Sequence, residues 1–191
     1  KNDLIRGVRQ ASDFLMALQL TGAFKESTIA NLQVQLPALV IGGGLTGVDT
    51  TTEMFAYYPV QVEKMLHRYE TLVAETGEEK FWSAYRTAEE RELAELFLSH
   101  GRAIRAERER AVAANEEPNF VPLVKSWGGV SLVYRKSLQD SPAYRLNHEE
   151  VEKAFEEGIN VVENMSPVEA IPDASGAVSA IKFERQAKDE N

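Results

Sequence analysis

The sequence predicts an α/β fold: a mostly parallel sheet with a β-hairpin, and a long helical insertion in the first crossover. Three observations carry this. Residues 36–41 form an apolar run without alternation, as a parallel strand covered on both faces requires, and the run opens into Gly42-Gly43-Gly44. The next stretch of strand character comes only at residues 129–136, and everything between reads as helix. Near the end, residues 168–171 and 178–184 flank Asp173-Ala174-Ser175-Gly176, the pattern of a hairpin.

At 191 residues, with 43% hydrophobic and 27% charged side chains, the chain has room for one domain with a sizeable core, or one domain carrying a large insertion. A formal net charge of -9 argues against a general nucleic-acid or anionic-membrane surface, because neutralising phosphates takes clustered Lys and Arg. One small basic pocket remains compatible with it. Cysteine is absent, which excludes disulfides, thiolate metal sites, iron–sulfur ligation and a redox dithiol within this chain. Electron chemistry then needs a bound organic cofactor or another chain. No apolar run approaches a membrane span and no signal-peptide pattern is visible, so a cytoplasmic location is expected. The start at Lys1 and the polar close Lys188-Asp189-Glu190-Asn191 read as the ends of a piece cut from something longer.

In chain order, Val8, Ala11, Leu15 and Leu18 recur at helical spacing over residues 6–22, with Gly22 as the C-cap, and this helix is expected beside the central strand. Residues 23–35 read as a loop whose Phe24, Ile29 and Leu32 cover the sheet. After the glycines comes a helix over residues 48–58, which Pro59 kinks or breaks. Residues 61–70 are again helical in period. Residues 87–114 carry Ala88, Leu93, Leu96, Phe97 and Ile104 among many Glu and Arg, the pattern of exposed amphipathic helices, with Gly101 placed to separate two of them. The mixed charges from Arg102 to Arg110 read as a solvated face, and Asn115-Glu116-Glu117-Pro118 as a stop. Beyond the second strand Ser141-Pro142 turns the chain. Asn147 caps a helix with Val151, Ala154 and Phe155 on one face, Gly158 ends it, and residues 159–163 form a third strand before Pro167 and the hairpin. Residues 1–54 and 128–191 thus form one domain, and residues 55–127 a helical insertion.

The glycines carry the chemistry. Gly42, Gly44 and Gly47 fall on the G-x-G-x-x-G spacing between a strand and a helix, the setting of a Rossmann-like, FAD/NAD(P)-binding type of turn. Gly42 permits the tight turn, Gly44 lets a pyrophosphate approach the backbone, and Gly47 lets the helix pack close to the sheet. Amides at the helix start supply the anion site. An acidic residue is then expected at the end of the second strand to hold a ribose, but Glu63 and Glu70 fall in a helical window and are poor candidates. The strand ending at residue 136 offers Arg135 and Lys136 instead. Two cations there pair with a 2′-phosphate, which a carboxylate would repel, and point to NADPH; the alternative is a basic strand end that simply faces solvent.

The ordered set Gly7 to Leu15 (G-V-R-Q-A-S-D-F-L), Ala38 to Asp49 (A-L-V-I-G-G-G-L-T-G-V-D), Val133 to Lys136 (V-Y-R-K), Ser141 to Ile159 and the closing hairpin resembles the NADPH-binding domain of glutamate synthase small-subunit-like, FAD-dependent pyridine nucleotide oxidoreductases. Dihydropyrimidine dehydrogenase carries a related module. The resemblance implies that Gly42, Gly44, Leu45, Thr46 and Gly47 hold the pyrophosphate. It makes Arg135 the 2′-phosphate contact, with Lys136 in place of a second arginine. It implies that the nicotinamide faces an FAD in a separate domain of the parent chain, with iron–sulfur centres as electron acceptors. Leu45 departs from the acidic or amide residue common there, the long insertion is not a general feature of the family, and the glycine motif of the FAD domain is absent from this sequence.

Other candidates weigh little. His67, His100 and His148 lack metal-ligand spacing and read as surface or packing residues. Glu149-Glu150 and Glu156-Glu157 are adjacent on a helix and point to different faces. Trp82 and Trp127 read as packing anchors for the insertion, and no catalytic side chain is singled out, since hydride transfer uses the cofactor's own carbon. Two further readings stand beside the oxidoreductase: an interaction module that self-associates or docks a partner through the insertion, and a fold that no longer binds nucleotide.

Overall fold

A computed structural model describes residues 5–187; Lys1 and the tail Lys188-Asp189-Glu190-Asn191, read as cut ends, lie outside the described residues. The elements in order are α1 (Ala11–Thr21), β1 (Ala38–Ile41), α2 (Leu45–Thr76), α3 (Glu78–Trp82), α4 (Ala88–Ala114), α5 (Val121–Ser126), β2 (Val130–Val133), α6 (Pro142–Leu146), α7 (His148–Glu156), β3 (Asn160–Val162), β4 (Met165–Pro172) and β5 (Val178–Arg185). β1, β2 and β3 form a parallel sheet in that order, and β4 and β5 an antiparallel hairpin. The fold is therefore mixed α/β, rich in helix. Among the described residues, no helix is long and apolar enough to cross a membrane.

One face of the parallel sheet carries the main core, and the other is covered only in part, with Val133 buried there. Val40, Leu132 and Val161 share a register across the three strands and pack, with Val48 and Phe55 of α2, Val124, Val151 and Ala154, into one core. On the opposite face Leu39 and Ile41 are 42% and 43% exposed, so β1 is not the doubly covered strand its composition suggests.

The whole connection from β1 to β2 is helical, as the sequence indicates, but its breaks differ. Pro59 lies inside α2, which runs unbroken for 32 residues, about 48 Å at 1.5 Å per residue. The ring is buried, and the helix continues past the one backbone bond that proline cannot make. The boundary drawn at residue 55 thus falls within a continuous helix. Gly101 does not separate two helices either. It sits mid-way along α4, where an added Cβ would lie 2.5 Å from the Val62 carbonyl oxygen and 3.0 Å from the Leu66 Cβ. The glycine lets α4 approach the α2 backbone closely at Val62.

A second core joins α1, the following loop, α2 and α4 through Phe14, Leu18, Tyr57, Tyr58, Val62, Phe97 and Ile104. α1 starts at Ala11 and buries Phe14 and Leu18 against α2, where a strand had been expected; Gly22 caps it in the left-handed conformation. The loop after it is held by a stripe of polar side chains on α2. Tyr57 Oη accepts from the Leu32 amide at 2.8 Å, and Gln61 exchanges two hydrogen bonds with the Val34 backbone at 2.7 and 2.9 Å. Lys64 donates to the carbonyls of Ala23, Lys25 and Ala30, and Arg68 to those of Thr28 and Ile29. Positions 57, 61, 64 and 68 lie on one helix face. Phe24 and Ile29 are consequently exposed, and the loop covers α2 in place of the sheet.

The charged face of α4 is likewise more than solvated. Arg108 forks onto Glu63 with two bonds of 2.7 Å, and Arg105 onto Glu70 at 2.6 and 2.8 Å, stitching α4 to α2. The two glutamates rejected as ribose ligands are thus occupied by arginines. Phe155 and Leu96, expected on buried faces, are 44% and 42% exposed.

Buried His100 shares a 2.7 Å hydrogen bond between its Nδ1 and Tyr58 Oη, and stacks on Trp127 with ring centres 3.7 Å apart. Burial pushes its pKa below the ordinary value, so the folded chain resists protonating it. A depressed folded value means that this contribution to stability is complete above the unfolded pKa, roughly 6.5, and is lost as pH falls through the folded value. Urea unfolding at pH 7.5 and 5.0 should show a smaller acid loss in His100→Gln than in the native chain.

Candidate functional site

The carboxyl ends of β1 and β2 lie side by side. Ile41 is in register with Val133, and the Gly42 amide donates to the Val133 carbonyl at 3.0 Å. The glycine turn and the Arg135-Lys136 tip therefore leave adjacent strands on the same edge of the sheet.

Three glycines in the turn meet three different surroundings. Gly42 has φ 154°, a conformation side chains disfavour, with nothing within 4 Å of an added Cβ. Gly44 is the N-cap of α2 at φ -92°, no side chain caps that helix, and a Cβ there would also meet nothing within 4 Å. Gly43 is covered, by the Tyr134 ring. One turn on, a Cβ at Gly47 would come within 3.1 Å of the Gly42 carbonyl oxygen and 3.3 Å of Leu132, the close helix-to-strand packing expected of the third motif glycine. Leu45 turns toward the sheet core, and Thr46 is exposed at the helix start.

Arg135 and Lys136 are both exposed in the bend after β2. They border an open, polar cavity of about 430 Å³ that Ser137, Asp140, Asn164 and Ser166 also line. The glycine turn is not part of that lining. Asp140 accepts from Ser137 Oγ at 2.7 Å and pairs with Arg145 at 2.9 Å, and these two partners hold its carboxyl below the usual range. Lys136 is close enough to lower the Asp140 carboxyl further, so one of the two strand-end cations also faces a carboxylate across the cavity.

The segment after this tip closes on the turn from outside. Ser141, 1% exposed, caps α6 by accepting from the Tyr144 amide at 3.1 Å, and the Ala143 amide donates to the Gly43 carbonyl at 2.9 Å. Ser141-Pro142, read in the sequence as a turn, is in fact a helix start. Nearby, Asp49 of α2 is raised above the ordinary range by burial and then by a shared hydrogen bond with Glu150 of α7. Glu150 therefore does meet a second carboxyl, across helices and not with its neighbour Glu149. Asn147 stands at the N-cap of α7, but its side chain donates to Glu150 in place of accepting from the backbone. His67 and His148 are exposed, and among the described residues no group of acids and histidines is placed to hold a metal ion.

Tyr134, Ser141, Ala143, Asn164 and Ser166 are additions to the sequence-based set. Tyr134 had a visible signal in its place between the strand and the two cations. The others depend on how the chain folds back, which no local pattern encodes.

The site and fold define an α/β chain with a glycine turn beside a basic strand end. Over 178 residues the chain is 39% identical to a protein of Rickettsia prowazekii (strain Madrid E) described as "Uncharacterized protein RP006"; the match takes in 93% of this chain and 22% of that protein. The chain therefore spans about a fifth of the length of the curated relative it matches. No family model matches the chain.

Replacing Ser141 with Ala should remove the α6 cap and cost about 1 kcal/mol, read as a lower urea midpoint with an unchanged slope.

Proposed function

We propose that this chain is the NADPH-binding, Rossmann-like domain of a flavin-dependent oxidoreductase, working in the cytoplasm on electrons that pass to FAD held by another domain. The observation that carries the reading is the adjacency of the glycine turn and the basic tip, joined by the Gly42–Val133 hydrogen bond of 3.0 Å. The residues present fit such a cofactor. Open space lies over Gly42 and Gly44, the α2 start is without a side-chain cap, and both cations at the β2 end face solvent.

On this reading the first α2 amides, at Leu45 and Thr46, hold the pyrophosphate, Gly42, Gly44 and Gly47 let it approach, and Arg135 and Lys136 hold the 2′-phosphate; the Gly47 amide itself donates to the Gly44 carbonyl at 2.9 Å. Arg135 brings the planar fork, and Lys136 a point charge that pairs without fixing orientation. Bound NADPH supplies the hydride-donating carbon. This chain's side chains bind and orient it, and the reading assigns none of them a covalent or proton-transfer step. Residues 1–54 and 128–191 make up the nucleotide domain, and residues 55–127 extend its first crossover. Iron–sulfur centres of a partner would take the electrons onward.

Titration with both nucleotides tests this. NADPH should bind more tightly than NADH, and Arg135→Ala should cut that preference roughly ten- to hundredfold, the loss of one or two charge-assisted hydrogen bonds. Equal binding of both nucleotides by the native chain would reject the role of Arg135, and no binding of either would reject the domain assignment.

A second reading is favoured by the far end of the helical arm. There Leu72, 45% exposed, borders an apolar slot of about 320 Å³ with Phe81, Ala84 and Tyr85. A second copy of the chain is the occupant this reading proposes. Sedimentation of the native chain should then give a dimer and Leu72→Glu a monomer; a native monomer would end the reading.

A further inference from the structure

Gly43 differs from its neighbours in the reason it must be glycine. Its φ lies outside the positive range that Gly42 occupies, so its conformation admits a side chain. Tyr134 does not. A Cβ on Gly43 would stand 2.3 Å from Cε2, 2.5 Å from Cδ2 and 2.7 Å from Cζ of that ring.

The backbone that carries the ring is held on both sides. The Tyr134 amide donates to the Val162 carbonyl at 2.9 Å, and its carbonyl accepts from the Met165 amide at 3.0 Å, fixing its backbone between β3 and β4. Gly43 is pinned as firmly, since its carbonyl accepts from Ala143 and the preceding Gly42 amide is bonded to Val133. Arg135 and Lys136 follow Tyr134 directly.

We propose that Tyr134 is a positioning residue: its ring, seated on Gly43, sets the separation between the anion-binding glycine turn and the two cations at the strand end. The proposal rests on the NADPH reading for its ligand and adds the residue that sets selectivity. The pyrophosphate and the 2′-phosphate belong to one covalent molecule, so their binding points must be held at one spacing. A misplacement of about 1 Å between such points is costly. A glycine facing an aromatic ring fixes that spacing at van der Waals contact, and any larger residue at position 43 would pry the two apart.

The test is a double-mutant cycle on the full chain, with calorimetric titration of NADPH and NADH, and amide hydrogen exchange without nucleotide over residues 44–47 and 135–136. Tyr134→Phe keeps the ring and should stay within about twofold of native for both nucleotides. Tyr134→Ala should lower the NADPH-over-NADH ratio about tenfold, leave NADH binding within about threefold, and speed exchange at both stretches. Gly43→Ala should weaken NADPH binding at least about tenfold alone, and less than about threefold in Tyr134→Ala, where the obstructing ring is gone. Additive effects, or an unchanged ratio in Tyr134→Ala, would overturn the proposal. If the native chain binds neither nucleotide, the NADPH reading falls by itself. The exchange data then decide the coupling: faster exchange at the glycine turn in Tyr134→Ala upholds it, and unchanged exchange overturns it. Should Tyr134→Ala fail to fold, Tyr134→Leu, which keeps apolar bulk but not the ring's reach over Gly43, enters the cycle with the same expected signs.

Discussion

The structure depends on α2 staying a single helix through Pro59. Its first turns pack on the parallel sheet, and its middle and far turns build the second core with α1 and α4. A proline inside a helix removes one hydrogen bond and crowds the preceding turn, at a cost of roughly 3 kcal/mol. The burial on both sides of Pro59 offsets that cost: Phe55, Tyr57, Tyr58 and Val62 are each 7% exposed or less. Were the helix to break there, the glycine turn would lose the rigid body that fixes where its amides point. The long helical crossover and the compact turn are thus one mechanical unit.

Around that unit several charged groups have partners of their own. Arg105 and Arg108 of α4 are engaged by Glu70 and Glu63 on α2. Exposed pairs of this kind contribute little each, about 0–1 kcal/mol, but two bidentate forks, from Arg105 and Arg108 to glutamates two turns apart on α2, fix the register of α4 against α2. Near the turn, Asp140 is met by Arg145, and Asp49 shares a hydrogen bond with Glu150. At the end of β2 Arg135 and Lys136 are exposed, and Lys136 faces the Asp140 carboxylate as well as solvent.

How much of this could be read from the residues follows from what each signal reports. The strands, the Gly22 and Asn115 caps and the hairpin came from local conformational demands, which a sequence states directly. The pairing of β1 with β2 across a helical crossover was legible because parallel strands admit no short link. Pro59 and Gly101 misled because each was taken for punctuation. Both answer to packing: burial outweighs the proline's cost, and Gly101 exists for the contact with Val62. The loop after α1 was misplaced because the stripe Tyr57, Gln61, Lys64 and Arg68 reads as an ordinary polar helix face until a backbone is laid along it. In the site, the motif glycines and the two cations were visible, while the Tyr134–Gly43 contact was not, since nothing in a run of three glycines says which is covered.

The three consecutive glycines make a final argument by difference. Gly42 is explained by its φ of 154° and Gly43 by the ring of Tyr134, both reasons internal to the chain. Gly44 has neither: its φ is -92°, and an added Cβ would find open space. Its position at the N-cap makes the choice stranger, because Ser, Asp or Asn there would accept a hydrogen bond from the first turn and stabilise α2 more than glycine does. A side chain that caps the helix also occupies the place where an anion would sit, so its omission costs stability and keeps the amides available. Among the described residues nothing packs where a side chain at position 44 would stand, which is what a ligand approaching the backbone would need and is an argument for the nucleotide proposal separate from the charges at the strand end.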